Sequence, residues 1–333
     1  MSTQTNRRTF VKVVAAGAAA LSAPSFAQER IVLKGATYFN NEHSFNRAML
    51  KFGELVEKYS GAKVKVDIHG NGELGNERDY IKFMGQGISV DFAMLAASNM
   101  SNVSKAAPLV DVPFLFRDRE HFKKVTEGAA LHKYAEIVEK QSGIMVLGLG
   151  GGAVRNILAN RPVRNLAELK GLKMRILGAP IQAKMFAAFG VNPSVIAYSE
   201  TFNAIQSAVV DGLENESPAI EQMKFYEVAG DLSQTQHVIA ARPLLFSSKR
   251  FRTLPPAVQQ AIRKAGQEAA AFHRGVDIAE DDEKLRKLEA DKKLRVHGFT
   301  ERDRLVQLAQ PVWTEYAKEI GAEEILAAVR AVK

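Results

Sequence analysis

Alternating strand and helix patterns constrain the fold of this chain more than any other feature of its sequence. A short apolar segment at 31–33 is followed by a stretch in which Phe45, Met49 and Phe52 recur at helical spacing. Residues 64–68 then alternate apolar with polar side chains, as half-buried strands do. The same order continues along the chain, with predicted helices at 77–84, 181–189 and 200–209 and predicted strands at 90–95, 144–149 and 172–176. Strands that alternate with helices predict βαβ units and a mainly parallel sheet.

One long helix is predicted over about 256–292. Residues 257–292 contain no proline and are rich in Ala, Glu, Lys, Arg and Gln, which are good helix formers. A helix of this length can lie across two domains. Because the chain shows no internal repeat and no low-complexity linker, we expect an α/β fold with two lobes joined by several crossings of the chain.

The absence of cysteine excludes several kinds of site. No cysteine occurs among the 333 residues, so disulfides, thiolate zinc sites, iron–sulfur clusters and cysteine nucleophiles are all excluded. The seven histidines include no pair at i, i+4 and no His-Glu-x-x-His motif. We therefore predict neither a metal site nor a cofactor.

The net charge does not indicate a nucleic-acid-binding protein. The formal charge of +8 comes from 45 Lys and Arg against 37 Asp and Glu, and the first 27 residues contribute three basic residues and no acid. No Lys/Arg run and no zinc-finger or RRM-type motif occurs. We expect no nucleic-acid partner.

Residues 1–27 have the layout of an export signal. The Arg7–Arg8 pair is followed by Phe10, an apolar stretch at 13–21 and small residues up to Ala27. The apolar stretch is shorter than the roughly 20 residues that span a bilayer. The arginine pair is similar to a twin-arginine signal, and cleavage is expected near Ala27. The alternative is export by the general secretory route, with the arginine pair incidental.

A glycine-rich run at 148–152 follows a predicted strand but does not predict nucleotide binding. A dinucleotide-binding loop must lead directly into a helix, whereas this run leads into Arg161-Pro162 and leaves no room for one. We interpret the run as a hinge between lobes, together with the crossing near 240–242. The chain also lacks a Gly-x-Ser-x-Gly nucleophile elbow, so no motif indicates an enzyme.

Two arginines stand out as candidate ligand-binding residues. Arg175 lies in an apolar strand pattern, where a charge is out of place unless the strand ends at a wet or ligand-filled site. A guanidinium offers a planar fork that matches a carboxylate in bidentate fashion. Arg155 is the second cation of this kind. The alternative for both is an ordinary salt bridge within the protein.

Several motifs, in consistent order, resemble the DctP-like solute-binding subunits of tripartite ATP-independent periplasmic (TRAP) transporters. The most specific pair is the Leu-Lys-Gly-Leu-Lys-x-Arg motif at 169–175 and the Val-Asp-Gly-x-Glu-Asn motif at 210–215. The loop at 73–78, the Pro-Phe-Leu-Phe segment at 113–116 and the segment at 224–227 also match. The resemblance covers nearly all of the chain after residue 27.

The resemblance implies roles for individual residues. By analogy with the family, Arg175 grips the ligand carboxylate and Arg155 assists. Asn215 matches an amide that binds the same carboxylate region, Tyr198 matches an aromatic wall of the cleft, and His237 lies near the hinge side of the pocket.

The first lobe is expected to supply further ligand-binding residues. The polar and aromatic loop that starts at Tyr38 is suited to binding hydroxyl groups, and the matching loop at 73–78 places Glu77 among the ligand-binding residues. Residues 94–98 contain no Asp or Glu, whereas sialic-acid-binding relatives carry a carboxylate at about the equivalent position. The resemblance therefore does not extend to that ligand.

The family fold is periplasmic-binding-protein-like, with two α/β lobes, a ligand cleft between them and a long helix spanning both. Under this interpretation, lobe I is 28–152 with about 241–275 returning to it. Lobe II is 153–240, with part of 276–333 packing on it.

The resulting expectation is an exported, non-catalytic binding subunit of the periplasm that delivers a small organic acid to membrane permease subunits. Among the candidate ligands, a sugar acid is slightly favoured over a C4-dicarboxylate or a 2-oxo acid. The family default is a monomer. The alternatives are an exported α/β enzyme acting on a carboxylate and a binding protein that signals to a membrane receptor.

Overall fold

The computed structural model of the protein describes residues 30–333, so the predicted export signal at 1–27 lies outside the described residues. Within 30–333 the strands are β1 (Ile31–Ala36), β2 (Val64–His69), β3 (Phe92–Met94), β4 (Ile144–Ala159), β5 (Lys173–Ile176), β6 (Asn192–Val195), β7 (Gly212–Asn215), β8 (Asp231–Ser247) and β9 (Arg295–Gly298). The α-helices are α1 (Ser44–Ser60), α2 (Glu77–Gln86), α3 (Arg119–Glu127), α4 (His132–Ser142), α5 (Leu166–Leu169), α6 (Pro180–Ala188), α7 (Thr201–Gln206), α8 (Ser217–Gln222), α9 (Ser248–Thr253), α10 (Pro256–Ala290), α11 (Arg302–Glu319) and α12 (Glu323–Ala331).

The strands form one mixed sheet in the order β2-β1-β3-β8-β4-β7-β5-β6, with β9 paired to β8. The outer strands pair in parallel, as the alternation of strands and helices predicted. The two central strands, β4 and β8, are antiparallel to each other and to their neighbours β7 and β3. The sheet is therefore mixed rather than mainly parallel, because two long strands run through its middle in opposite directions.

Strand β4 is much longer than the predicted strand at 144–149 and contains the glycine-rich run. Its pairing with β8 is irregular between Gly151 and Val154. Gly151 has a φ of +101°, and a Cβ at this position would lie 1.9 Å from the carbonyl oxygen of Ala240. A side chain is sterically excluded here, so glycine is required for the two strands to approach this closely.

Helix α7 is shorter than the predicted helix at 200–209. It ends at Gln206, and Ala208 takes a left-handed φ of 57° that turns the chain toward β7. Val209 therefore leaves the helix and is 60% exposed. Helical spacing alone did not reveal this turn. Between residues 30 and 333, no helix has both the length and the apolar character that crossing a bilayer requires.

Two hydrophobic clusters explain how the long helix α10 spans the two-lobed fold. One cluster is formed by α1, β1 and β3 and includes Val258 and Ala269 from the first half of α10. Another is formed around β7, α7 and α8 and includes Leu288 from the end of α10. A single helix of 35 residues thus contributes to the cores at both ends of the sheet.

Candidate functional site

A cavity lies between the two outer parts of the sheet. It offers about 100 Å³ to the centres of water molecules. Since about 10–15 Å³ by this measure is the minimum that holds one water, the cavity has room for several ordered waters. Its walls come from both sides of the central strands.

Sheet topology explains why the cavity is lined by residues so distant in sequence. The segments that follow β1, β3, β5, β6 and β7 all contribute to the wall. In α/β proteins ligands bind in the crevice at the carboxyl ends of the strands, where the chain order reverses. The long strands β4 and β8 add Arg155 and Arg242 from the centre of the sheet.

Arg175 lines the cavity with unused hydrogen-bond donors. Its Nε donates to the carbonyl oxygen of Ile196 over 3.1 Å, and neither Nη atom donates to any residue in 30–333. The guanidinium lies 5.5 Å from the centroid of the Tyr198 ring. Burial lowers the pKa of Arg175 because no protein carboxylate is paired with it. A buried cation with free donors is the arrangement that a ligand anion would complete.

Arg155 has the same side chain as Arg175, but its hydrogen-bond donors are used within the protein. All five of its N–H groups have protein acceptors. Its Nε and Nη2 donate to the carboxylate and backbone carbonyl of Glu214, and its Nη1 donates to Asn215 and Glu216. Burial alone would lower its pKa, but Glu214 and Glu216 raise the pKa of Arg155 above the ordinary value. Arg155 therefore holds the site together and has no donor left for a ligand.

Glu216 connects Arg155 to a third buried cation, Arg242. The Nη2 atom of Arg242 donates to Glu216 over 2.6 Å. Despite burial, which raises it, the two arginines lower the pKa of Glu216 to about 2, and Arg155 with His237 lowers that of Glu214 to about 2. Among these three buried arginines, Arg155 and Arg242 are ion-paired with Glu214 or Glu216, and Arg175 forms no ion pair with a described residue.

Asn215 and Tyr198 form a short chain of hydrogen bonds beside Arg175. The Nδ2 atom of Asn215 donates to the Tyr198 hydroxyl over 3.1 Å, while its Oδ1 accepts from Arg155 over 2.9 Å. Both side chains line the cavity. This places the second N–H of the Asn215 amide and the Tyr198 hydroxyl proton within the region where a bound carboxylate would lie.

Aromatic rings meet across the cavity. The Tyr198 ring lies 5.9 Å from both Tyr38 and Phe39, in edge-to-face geometry. Tyr38 and Phe39 follow β1 at one end of the sheet, whereas Tyr198 follows β6 at the other. These contacts join the two walls of the cavity.

Of the seven residues predicted from sequence, six line the cavity and His237 does not. The six are Tyr38, Glu77, Arg155, Arg175, Tyr198 and Asn215. His237 lies behind the wall, where its ring nitrogens contact Thr235 over 2.8 Å and Glu214 over 3.4 Å. Burial lowers the pKa of His237, so the ring is a neutral support for Glu214.

Sequence reasoning missed Arg242 and two amides of the cavity wall, Asn99 and Asn102. Arg242 carried the same signal as Arg175, a charge inside the apolar stretch at 238–246, and that signal was not used. The amides lie on a loop after β3 that has no distinctive pattern. Sequence reasoning assigned no role to Glu216.

The arrangement is suited to binding an anion. The described residues contain no group of three or more His, Asp or Glu side chains placed to hold a metal ion. The unpaired guanidinium of Arg175, with amides, hydroxyls and aromatic faces, offers recognition of a carboxylate and of neighbouring hydroxyl groups.

Comparisons with known proteins show which family the chain resembles over most of its length. The family described as bacterial extracellular solute-binding protein, family 7 (DctP), matches residues 35–319. A solute-binding protein of Sulfitobacter sp. (strain NAS-14.1) is 43% identical over 96% of this chain and 97% of its own. The C4-dicarboxylate-binding periplasmic protein DctP of Rhodobacter capsulatus is 30% identical over 94% of this chain and 93% of its own.

A solved structure is similar over most of its length. The crystal structure of a TRAP periplasmic solute-binding protein from Sulfitobacter sp. NAS-14.1, with bound α-D-taluronate, is 42% identical. It superposes with a TM-score of 0.88 and covers 90% of this chain and 98% of that chain.

Proposed function

The chain belongs to family 7 of the bacterial extracellular solute-binding proteins, the DctP-like solute-binding subunits of TRAP transporters, and on that premise we propose that it captures a sugar acid of the hexuronate type. The observation that carries the proposal is the free guanidinium of Arg175 inside a cavity lined by amides, hydroxyls and aromatic rings. The taluronate bound to the 42% identical relative supports the same class of ligand.

The physical basis is the replacement of water by the protein. A carboxylate loses its hydration when it enters a closed cavity, and an unpaired buried charge is costly. The free N–H groups of Arg175, with the amide of Asn215, restore those hydrogen bonds and neutralise the charge. The Asn99 and Asn102 amides on the opposite wall are suited to the hydroxyl groups of a sugar body.

We further propose the setting in which the protein works. It acts in the periplasm as a monomer, binds its ligand without turnover, and delivers it to the membrane permease subunits of a TRAP transporter. Export through the Arg7–Arg8 signal and cleavage near Ala27 would place it there. Cell fractionation of a variant with both arginines changed to lysine tests the export route, and normal export of that variant would favour the general secretory route.

We also propose lobe boundaries. Lobe I comprises 28–152 with about 241–275, and lobe II comprises 153–240 with part of 276–333. The division is supported by the two hydrophobic clusters that α10 joins. Limited proteolysis tests it, because cuts between stable lobes should fall near the proposed crossings.

Thermal-shift and calorimetric titration of the purified protein test the ligand class. Hexuronates such as D-taluronate and D-galacturonate should raise the melting temperature and bind saturably, and chromatography should show no product after prolonged incubation. Stabilisation by succinate or malate with no response to any hexuronate would indicate that the ligand is a C4-dicarboxylate. Conversion of a carboxylate into product would show that the protein is an enzyme.

A further inference from the structure

The wall opposite Arg175 carries a carboxylate without a partner. Glu77 is the first residue of α2 and lines the cavity. In the part of the chain that the structure describes, its side chain makes no ion pair and no hydrogen bond with another residue. Burial raises the pKa of Glu77, and the nearby charges of Arg175 and Arg78 partly offset that rise.

The start of α2 holds Glu77 in place without using its carboxylate. Asn76 caps the helix by accepting from the backbone N–H of Arg78 over 2.9 Å, and Asp79 accepts from the backbone N–H of Asn76 over 2.9 Å. Asp79 thus completes the capping box, and the other acid of the first turn, Glu77, stays free. The partial positive charge at a helix N-terminus favours the ionised form of such a carboxylate.

Arg175 is the buried cation of the cavity that is left for a ligand carboxylate. Glu214 and Glu216 are ion-paired with Arg155, and Glu216 also binds Arg242. The terminal nitrogens of Arg175 have no partner among the described residues. Arg78 also lines the cavity, but it is exposed, so water and salt screen its charge.

Resting on the proposed function, we infer that Glu77 makes the site selective for acids with one carboxylate and a polyhydroxyl body, against dicarboxylates of the same skeleton. A carboxylate accepts hydrogen bonds from sugar hydroxyls. A second ligand carboxylate has no proton to donate and meets Glu77 as a like charge. Specificity of this kind comes from repulsion of the wrong ligand as much as from attraction of the right one.

The test compares each hexuronate with its aldarate, in which C1 is a second carboxylate and the sugar ring is open. Because ring opening affects all variants alike, the change of the affinity ratio between variants reports on Glu77. Calorimetry measures the affinity of the wild type for D-taluronate and D-galacturonate, and for the aldarate that oxidation of C1 produces from each. The quantity of interest is the ratio of uronate to aldarate affinity. The wild type should prefer the uronate, and Glu77→Gln and Glu77→Ala should each lower the ratio by about tenfold or more, the change that about 1.4 kcal/mol produces.

Glu73→Gln is the matched control. Glu73 is an exposed carboxylate in the loop before α2, it contacts His69 over 3.3 Å, and it does not line the cavity. This variant should keep the wild-type ratio. Melting temperatures without ligand show whether each variant is folded.

The outcomes separate the two proposals. If the wild type binds the aldarate as tightly as the uronate, or if both Glu77 variants keep the wild-type ratio, the role of Glu77 is overturned while the sugar-acid function stands. If the wild type binds neither uronate nor aldarate, the proposed function fails and the inference fails with it.

Discussion

Two arginines of the same cavity have different roles because of what surrounds them. Every N–H group of Arg155 is bonded to the protein, whereas the terminal nitrogens of Arg175 have no partner among the described residues. A ligand carboxylate can therefore bind Arg175 without displacing a protein carboxylate from it. To bind Arg155 it would have to displace Glu214 or Glu216 from a buried ion pair.

Arg175→Ala should weaken hexuronate binding while leaving the fold intact. Removing one partner of a buried, hydrogen-bonded charge pair typically costs about 2–5 kcal/mol. At about 1.4 kcal/mol per decade, the affinity should fall by roughly 30-fold to several thousand-fold. Arg175→Lys keeps the charge but loses the planar fork, so it should also bind more weakly than the wild type. Calorimetry with one hexuronate measures the affinities of both variants. If a folded Arg175→Ala variant binds with wild-type affinity, another residue must bind the ligand carboxylate.

Arg155→Ala should instead lower the free energy of unfolding. It leaves Glu214 and Glu216 buried with fewer compensating charges, and breaking a buried pair from one side costs about 3–5 kcal/mol. Urea denaturation measures the loss, with Arg175→Ala as the control that strands no protein carboxylate. Equal stability of the two variants would contradict the structural role of Arg155.

At the scale of elements, α10 supplies hydrogen-bond acceptors to the irregular part of β4. The ring of His273 accepts from the backbone N–H of Gly151 over 2.8 Å, Asp277 accepts from Ala153 over 3.1 Å, and Asp281 accepts from Val154 over 2.8 Å. These backbone groups lie where the β4–β8 pairing is irregular. The helix therefore satisfies donors that the sheet leaves open, and so holds the central strands in register.

Asp277 should make this element sensitive to pH. Burial, with a smaller effect of Glu216, raises its pKa to about 6 from an ordinary value of 3.8. The folded state then holds the proton more tightly than the unfolded state, so the stability that Asp277 contributes is lost as pH rises from about 4 to about 6. The stability of the wild type relative to Asp277→Asn should fall over this interval by about 2 kcal/mol.

Urea denaturation of both proteins at the two ends of the interval measures the change. Glu289→Gln, an exposed position on the same helix, is the control for replacing an acid by its amide. A constant difference for Asp277→Asn, or a rise with pH, would contradict the buried-carboxylate argument.

At the scale of the whole molecule, ligand binding should make the protein more compact. The two walls of the cavity are joined by β4, β8 and α10, and they meet through Tyr198 on one side and Tyr38 and Phe39 on the other. A ligand held by both walls favours the closed arrangement because it adds contacts that an open cleft lacks.

Small-angle scattering measures this closure. The radius of gyration, about 20 Å for a compact chain of 333 residues, should decrease at saturating hexuronate. At a ligand concentration that just saturates the wild type, Arg175→Ala should show a smaller decrease, since it binds the ligand more weakly. An unchanged radius for the wild type at demonstrated saturation would argue against a closing cleft.

The sequence by itself determined the class of fold, the order of most elements and the residue type that the site requires. Periodic apolar side chains specify local structure directly, which is why α2, β2 and α10 were predicted near their observed bounds. The charge of Arg175 in an apolar strand likewise indicated a ligand-facing residue, and the resemblance to a family supplied six residues that line one cavity.

Only the tertiary structure decided which arginine is free and how the sheet is built. Arg155 and Arg175 look alike in sequence, but their partners are 20 to 60 residues away, and no local pattern encodes such distant pairing. The same reason hid the antiparallel centre of the sheet and the displacement of His237 behind Glu214. Charge compensation and strand pairing depend on contacts between distant segments, and those contacts exist only once the chain has folded.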